Sequence, residues 1–104
     1  MNNKQMYRIG HSNDTHKLVS GRELFLGGVK IDYELGLDGH SDADVVLHAV
    51  CESILGALGK GDLGEMFSDK DPLYKGMASK YFVSEVYKVM DEAGYMINNI
   101  DIII

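Results

Sequence analysis

Asp14-Thr15-His16 sets a carboxylate and an imidazole two residues apart. In an extended segment, residues i and i+2 point the same way, so this pair can share one cation. His48 lies further on, in a stretch of helical patterning, one turn beyond Asp44. Two imidazoles and one carboxylate form a ligand set suited to zinc. A fourth position left open is the catalytic arrangement, in contrast to a closed structural site. The same spacing also fits a surface Asp-His pair together with a core histidine satisfied by hydrogen bonds.

His40-Ser41-Asp42 stands at the expected start of that helix. Free backbone N–H groups at a helix N-terminus attract phosphate, and a histidine and a hydroxyl there add donors. The plainer alternative is that Ser41 only caps the helix and His40 is a loop residue. Gly61-Asp62-Leu63-Gly64 and Phe67-Ser68-Asp69-Lys70-Asp71-Pro72 make a polar loop around one aromatic ring. Asp62 suits sugar hydroxyls, or the run is a solvated turn. His11 follows the first apolar run and is either a ligand or bonded to backbone. The six tyrosines and six methionines are spread out and form no stacking platform, and Glu85 and Lys88 fall on a solvated helix face.

The elements that must position these residues are short. Tyr7–Gly10 reads as a strand. Residues 22–31 read as two short strands or one bulged strand around Gly27-Gly28. Residues 36–39 read as a loop. Ser41 is the expected N-cap, with Asp44 three residues on, and the helix is expected over 42–58. Its apolar groups surround it, so it is expected to be buried on most sides. A polar loop covers 61–76. A second helix is expected over 79–93, with Ala78, Phe82, Val86, Val89, Met90 and Ala93 as its apolar stripe and Gly94 at its end. Residues 97–104 read as a closing strand with Ile100, Ile102 and Ile104 on one face. An apolar strand end of this kind calls for more chain or a partner to cover it.

One domain over residues 1–104 fits the length and the absence of repeats or linkers. Hydrophobic residues make up 45% and charged residues 25%, the balance of a soluble globular chain. A net charge of −6 argues against nucleic acid as a partner, because phosphate backbones attract basic surfaces. An anionic small substrate stays open, since a bound metal can outweigh the overall sign. The lone Cys51 cannot form an internal disulfide and suits a reducing, cytoplasmic setting. No apolar run is long enough to span a membrane, and no signal peptide is visible.

In order along the chain stand Arg8-Ile9-Gly10-His11, Asp14-Thr15-His16, Gly27-Gly28-Val29, His40-Ser41-Asp42-Ala43-Asp44-Val45, Leu47-His48-Ala49, Gly61-Asp62-Leu63-Gly64 and Phe67 through Pro72. This succession resembles the 2-C-methyl-D-erythritol 2,4-cyclodiphosphate synthase family through essentially the whole chain. The resemblance implies an α/β fold of the two-layer α+β kind, with a ferredoxin-like sheet and helices on one face. It implies a homotrimer with active sites between subunits. The implied reaction cyclises 4-diphosphocytidyl-2-C-methyl-D-erythritol 2-phosphate and releases CMP.

By motif, zinc falls to Asp14, His16 and His48. His40 is the implied catalytic residue and, with Ser41, touches phosphate. Asp62, Leu63 and Gly64 are implied at the ribose, and Phe67, Ser68, Asp69, Lys70 and Asp71 around the methylerythritol; Asp14 and His16 count among the substrate-contacting residues too. Ser12-Asn13 stands where the family has Gly-Phe, Ser68 where it has Pro, and Glu52 where it often has Asp. Family members continue beyond Ile104. Their closing strand and helix, the cytosine loop and a Thr-Thr-Glu ligand for a second ion, magnesium or manganese, are therefore expected outside these residues. Three readings follow: a synthase chain, an inactive truncated zinc-binding fragment of one, or a subunit completed by another polypeptide.

Overall fold

A computed structural model describes residues 6–68 and 70–104. Among the described residues four strands come first: β1 (Leu18–Ser20), β2 (Leu24–Leu26), β3 (Val29–Ile31) and β4 (Leu35–Leu37). Three helices follow, α1 (Val45–Leu58), α2 (Leu63–Met66) and α3 (Ser79–Glu92), with a single 3₁₀ turn at Pro72–Tyr74 between the last two. The α+β class is as expected. The sheet is smaller than a ferredoxin-like one: β1 pairs antiparallel with β4, and β2 with β3, as two separate two-stranded ladders.

The β2–β3 hairpin turns on Gly27 and Gly28, which have φ of +64° and +80°. A two-residue turn with both central residues at positive φ matches the twist of the flanking strands, and glycine takes that conformation without a Cβ penalty. Two short strands, rather than one bulged strand, are the outcome.

Helix α1 starts later than expected, and its N-cap is Asp44, not Ser41. Ser41 Oγ instead accepts from Ala43 N at 3.2 Å. Asp44 is fully buried. Its Oδ1 accepts from Leu47 N and Gly27 N, each at 3.0 Å, and its Oδ2 accepts from Gly28 N at 2.6 Å. One carboxylate thus caps the helix and fastens the hairpin turn to it. Both residue types make good caps; the hairpin decides between them.

Only Gly56 of α1 is exposed, as its apolar surround predicts. Cys51 and Leu55 pack with Leu63 of α2 and with Phe82 and Val86 of α3. In α3 the buried face is Ser79, Phe82, Val86 and Met90; Ala78 and Ala93, expected on it, are exposed. Gly94 takes φ +81° just past the C-cap Ala93, and Tyr95 N donates to Met90 O at 3.1 Å, closing the helix.

Other expectations are corrected. Tyr7–Gly10 forms no strand; Gly10 lies flat on α1, where a Cβ would fall 1.7 Å from Ser53 O. Residues 97–104 are mostly exposed and pair with none of the described strands. Strands β1 and β4 occupy stretches with no strand signal, and β4 overlaps the expected loop. The loop over 61–76 contains α2 and the 3₁₀ turn. No helix among the described residues is long and apolar enough to cross a membrane.

Two outcomes check this account. Asp44→Ala strands three N–H donors and is expected to cost about 3 kcal/mol or more in urea denaturation, with Asp44→Asn costing roughly half as much. Losses below about 0.5 kcal/mol for both variants contradict the role given to Asp44. Burial pushes the Cys51 thiol from 9.0 up to about 12. Its folded-state pKa is raised, so the associated stability is complete below the unfolded pKa and is lost as pH rises above it. By about pH 10 the wild-type chain is expected to lose roughly 1.4 kcal/mol more than Cys51→Ala. Parallel pH profiles for the two chains remove that assignment.

Candidate metal centre

Residues 11–16 alternate between exposed and half-buried, with Ser12, Asp14 and His16 on the inward side. That is the period of an extended chain, and it brings Asp14 and His16 together as the spacing suggested. Ser12 holds the segment against α1 by donating to Ala49 O at 2.7 Å. His48 meets it from the helix side. Asp14 Oδ2 lies 3.2 Å from His16 Nε2 and 3.4 Å from His48 Nδ1. Donor atoms of Asp14, His16 and His48 all lie within 4.8 Å of one another. His11 is exposed and is not part of this group.

The donor set fits a cation. His16 Nδ1 donates to Asp38 O at 2.7 Å, which leaves Nε2 with a lone pair in the neutral ring. That lone pair faces a carboxylate oxygen. Asp14 Oδ2 is buried and has no hydrogen-bond partner, a costly state for a charged atom unless a positive charge is shared there. Burial lowers the pKa of His48, against the pull of the Asp14 carboxylate. Neutral imidazole is the form that binds metal. The backbone bond on the far side of His16 is the outer support that orients a ligand ring.

These groups open into a cleft of about 510 Å³. Its walls include Asp14, His16, His48, His40, Ser41 and Glu52, and Leu63, Gly64, Phe67, Tyr74 and Phe82. The Phe67 ring sits 4.7 Å from Phe82 and 5.4 Å from Tyr74, centroid to centroid, so one wall is an aromatic cluster. Burial raises the Glu52 carboxyl above its ordinary range, while its Oε1 accepts from Leu63 N at 3.1 Å.

The loop bearing His40 and Ser41 is tied on several sides. Arg22 donates to Gly39 O at 2.9 Å and to Ser41 O at 2.6 Å, spanning His40. Gly76 N donates to His40 O at 2.7 Å, and Asp42 N to Met77 O at 3.1 Å. The His40 ring donates through Nε2 to Asp71 O at 2.7 Å, leaving Nδ1 as its acceptor.

The other expected residues are less central. Asp62 caps α2, its Oδ1 accepting from Glu65 N at 2.9 Å. Ser68, Lys70 and Asp71 are exposed and do not line the cleft; Asp71 Oδ1 accepts from Leu73 N at 3.0 Å. Asp69 lies outside the described residues. Sequence reasoning missed Arg22, Tyr74 and Phe82 as parts of the site, and Ser79, whose Oγ lies 3.0 Å from His48 Nε2. Glu52 carried a signal, being one helical turn beyond His48.

Known proteins are similar to this chain over most of its length. A 2-C-methyl-D-erythritol 2,4-cyclodiphosphate synthase of Syntrophotalea carbinolica is 55% identical over 96 residues, covering 92% of this chain and 58% of its own length. One from Geotalea daltonii is 57% identical over 94 residues, covering 90% and 55%. A solved structure of 2C-methyl-D-erythritol-2,4-cyclodiphosphate synthase in a CDP-bound form superposes with a TM-score of 0.77 at 39% identity, over 84% of this chain and 58% of that one. The chain thus spans somewhat over half the length of these relatives. The YgbB family profile matches residues 7–104, a stretch that includes all three converging ligand side chains and the loop beside them, and the chain therefore belongs to the YgbB family.

Proposed function

We propose that this chain carries the metal- and phosphate-binding part of a 2-C-methyl-D-erythritol 2,4-cyclodiphosphate synthase, a phosphorus-oxygen lyase of isoprenoid precursor synthesis. The observation that carries the reading is the convergence of Asp14 Oδ2, His16 Nε2 and His48 Nδ1 in the cleft beside His40 and Ser41. Asp14, His16 and His48 would hold zinc, which when bound supplies charge neutralisation and polarises phosphoryl oxygens.

The proposed reaction is an in-line displacement. An oxygen of the 2-phosphate of 4-diphosphocytidyl-2-C-methyl-D-erythritol 2-phosphate bonds to the β-phosphorus. The bond from that phosphorus to the bridging oxygen breaks, and CMP leaves with that oxygen and the electron pair. Two anions must approach, so the barrier is mainly electrostatic, and the protein's share is positioning. His40, fixed by Arg22 and by Asp71 O, and the Ser41 hydroxyl orient the reacting phosphates. The aromatic wall of Phe67, Tyr74 and Phe82 excludes water. By motif, Asp62, Leu63 and Gly64 are given to the ribose and Phe67 through Asp71 to the methylerythritol; of these, Leu63, Gly64 and Phe67 line the cleft. No residue here is given to the second ion, magnesium or manganese.

A homotrimer belongs to the same reading. Exposed apolar side chains at Tyr7, Ile9 and Ile103 supply surface for an assembly to cover. The lone buried Cys51 suits the cytoplasm.

The test is CMP release by the 104-residue chain with substrate, zinc and magnesium. CMP is expected, together with near-stoichiometric zinc, and both are expected to be lost in His48→Ala. Zinc bound by a folded chain that releases no CMP would leave the centre standing and make the chain an inactive zinc-binding fragment. A full zinc complement in His48→Ala would overturn the ligand set.

A further inference from the structure

The far side of His48 is built as carefully as the near side. Its Nε2 lies 3.0 Å from Ser79 Oγ, the first residue of α3, which is fully buried. Ser79 Oγ in turn donates to Asp42 Oδ1. Asp42 Oδ2 accepts from Ser79 N at 2.9 Å, and Oδ1 also accepts from Asp44 N at 3.2 Å. The N-cap of α3, Ala78, offers no side-chain bond of its own, so Asp42 caps that helix from another segment.

A hydroxyl has one proton. With that proton given to Asp42, Ser79 Oγ can only accept from His48. Nε2 must then carry the ring's N–H, and Nδ1, on the Asp14 side, is left as a bare lone pair. Ser41 Oγ, 3.4 Å from the same Nε2, is the rival: if it donated there, the proton would sit on Nδ1. Two observations disfavour it. Ser41 is the more distant hydroxyl, and an Nδ1–H facing Asp14 would make a charge-assisted bond of about 2.7–2.9 Å, whereas the separation is 3.4 Å and Asp14 Oδ2 has no hydrogen-bond partner.

We propose that Asp42 and Ser79 are positioning residues: a carboxylate–hydroxyl relay that locks His48 in the Nε2–H tautomer and so presents Nδ1 to the metal. The proposal rests on the metal-centre reading above and extends it to the start of α3. Metal-binding histidines depend on such outer partners for orientation and tautomer, and losing one costs about 10–100-fold in metal affinity. Here the partner is a serine hydroxyl, with the carboxylate one bond further out.

The test has two arms. In the first, the His48 ring nitrogens of the metal-free wild-type chain are read by ¹⁵N NMR, which needs no variant. A protonated Nε2 and a bare Nδ1 are expected; a protonated Nδ1 overturns the relay. In the second, zinc affinity is measured by chelator competition for Ser79→Ala and Ser79→Thr, with folding checked by circular dichroism. A loss of about 10–100-fold is expected in folded Ser79→Ala, with affinity recovered when threonine restores the hydroxyl. Undiminished affinity in folded Ser79→Ala overturns the proposal. If Ser79→Ala does not fold, the NMR arm decides. A wild-type chain that binds no zinc defeats the metal reading of the site, while the tautomer still tells whether the relay exists.

Discussion

The Asp44 carboxylate is the junction on which the rest of the structure depends. It takes two N–H groups from the hairpin turn and one from the first turn of α1. A buried carboxylate is tolerated only when its oxygens are hydrogen-bonded, and these three donors serve both of them. The sheet side of the molecule is thereby locked to the helix that carries His48. The segment 38–44 runs between them, tied by Arg22 on one side and by residues 76–77 on the other. Every group of the candidate centre is attached to this frame.

The frame brings three ligand-type side chains face to face. Asp14 Oδ2 and His16 Nε2 meet at 3.2 Å, and the outward faces of both rings are held by bonds that fix their orientation. The orphaned Asp14 Oδ2 fits the proposed cation site, because a site that is to receive a cation leaves ligand atoms unsatisfied beforehand.

Much of this was legible in the sequence. Asp14 and His16 could be paired because the two-residue period of an extended chain is local. The turn at Gly27-Gly28 and the buried stripe of α3 were legible for the same reason. Strands β1 and β4, of three residues each, are too short to show a period, and their pairing across the β2–β3 hairpin is a tertiary fact. The isoleucine alternation at 97–104 looked like a strand, but a strand also needs a neighbour's backbone, which sequence does not supply. Ser41 was expected as the cap of α1; Asp44 takes that place because the hairpin engages its carboxylate. Ser79 was unreadable as part of the centre, because its partners Asp42 and His48 are more than thirty residues away.

The cleft walls also set the sign of the charge that the cavity favours. Among the described residues lining it there is no lysine or arginine, whereas Asp14 and Glu52 are both present. Arg22 stands near, but its guanidinium is occupied by the carbonyls of Gly39 and Ser41. The local field therefore opposes a phosphate-bearing ligand and favours a cation. With a cation held by Asp14, His16 and His48, as proposed above, the sign of the cavity would be reversed and an anion would find an attractive place to settle.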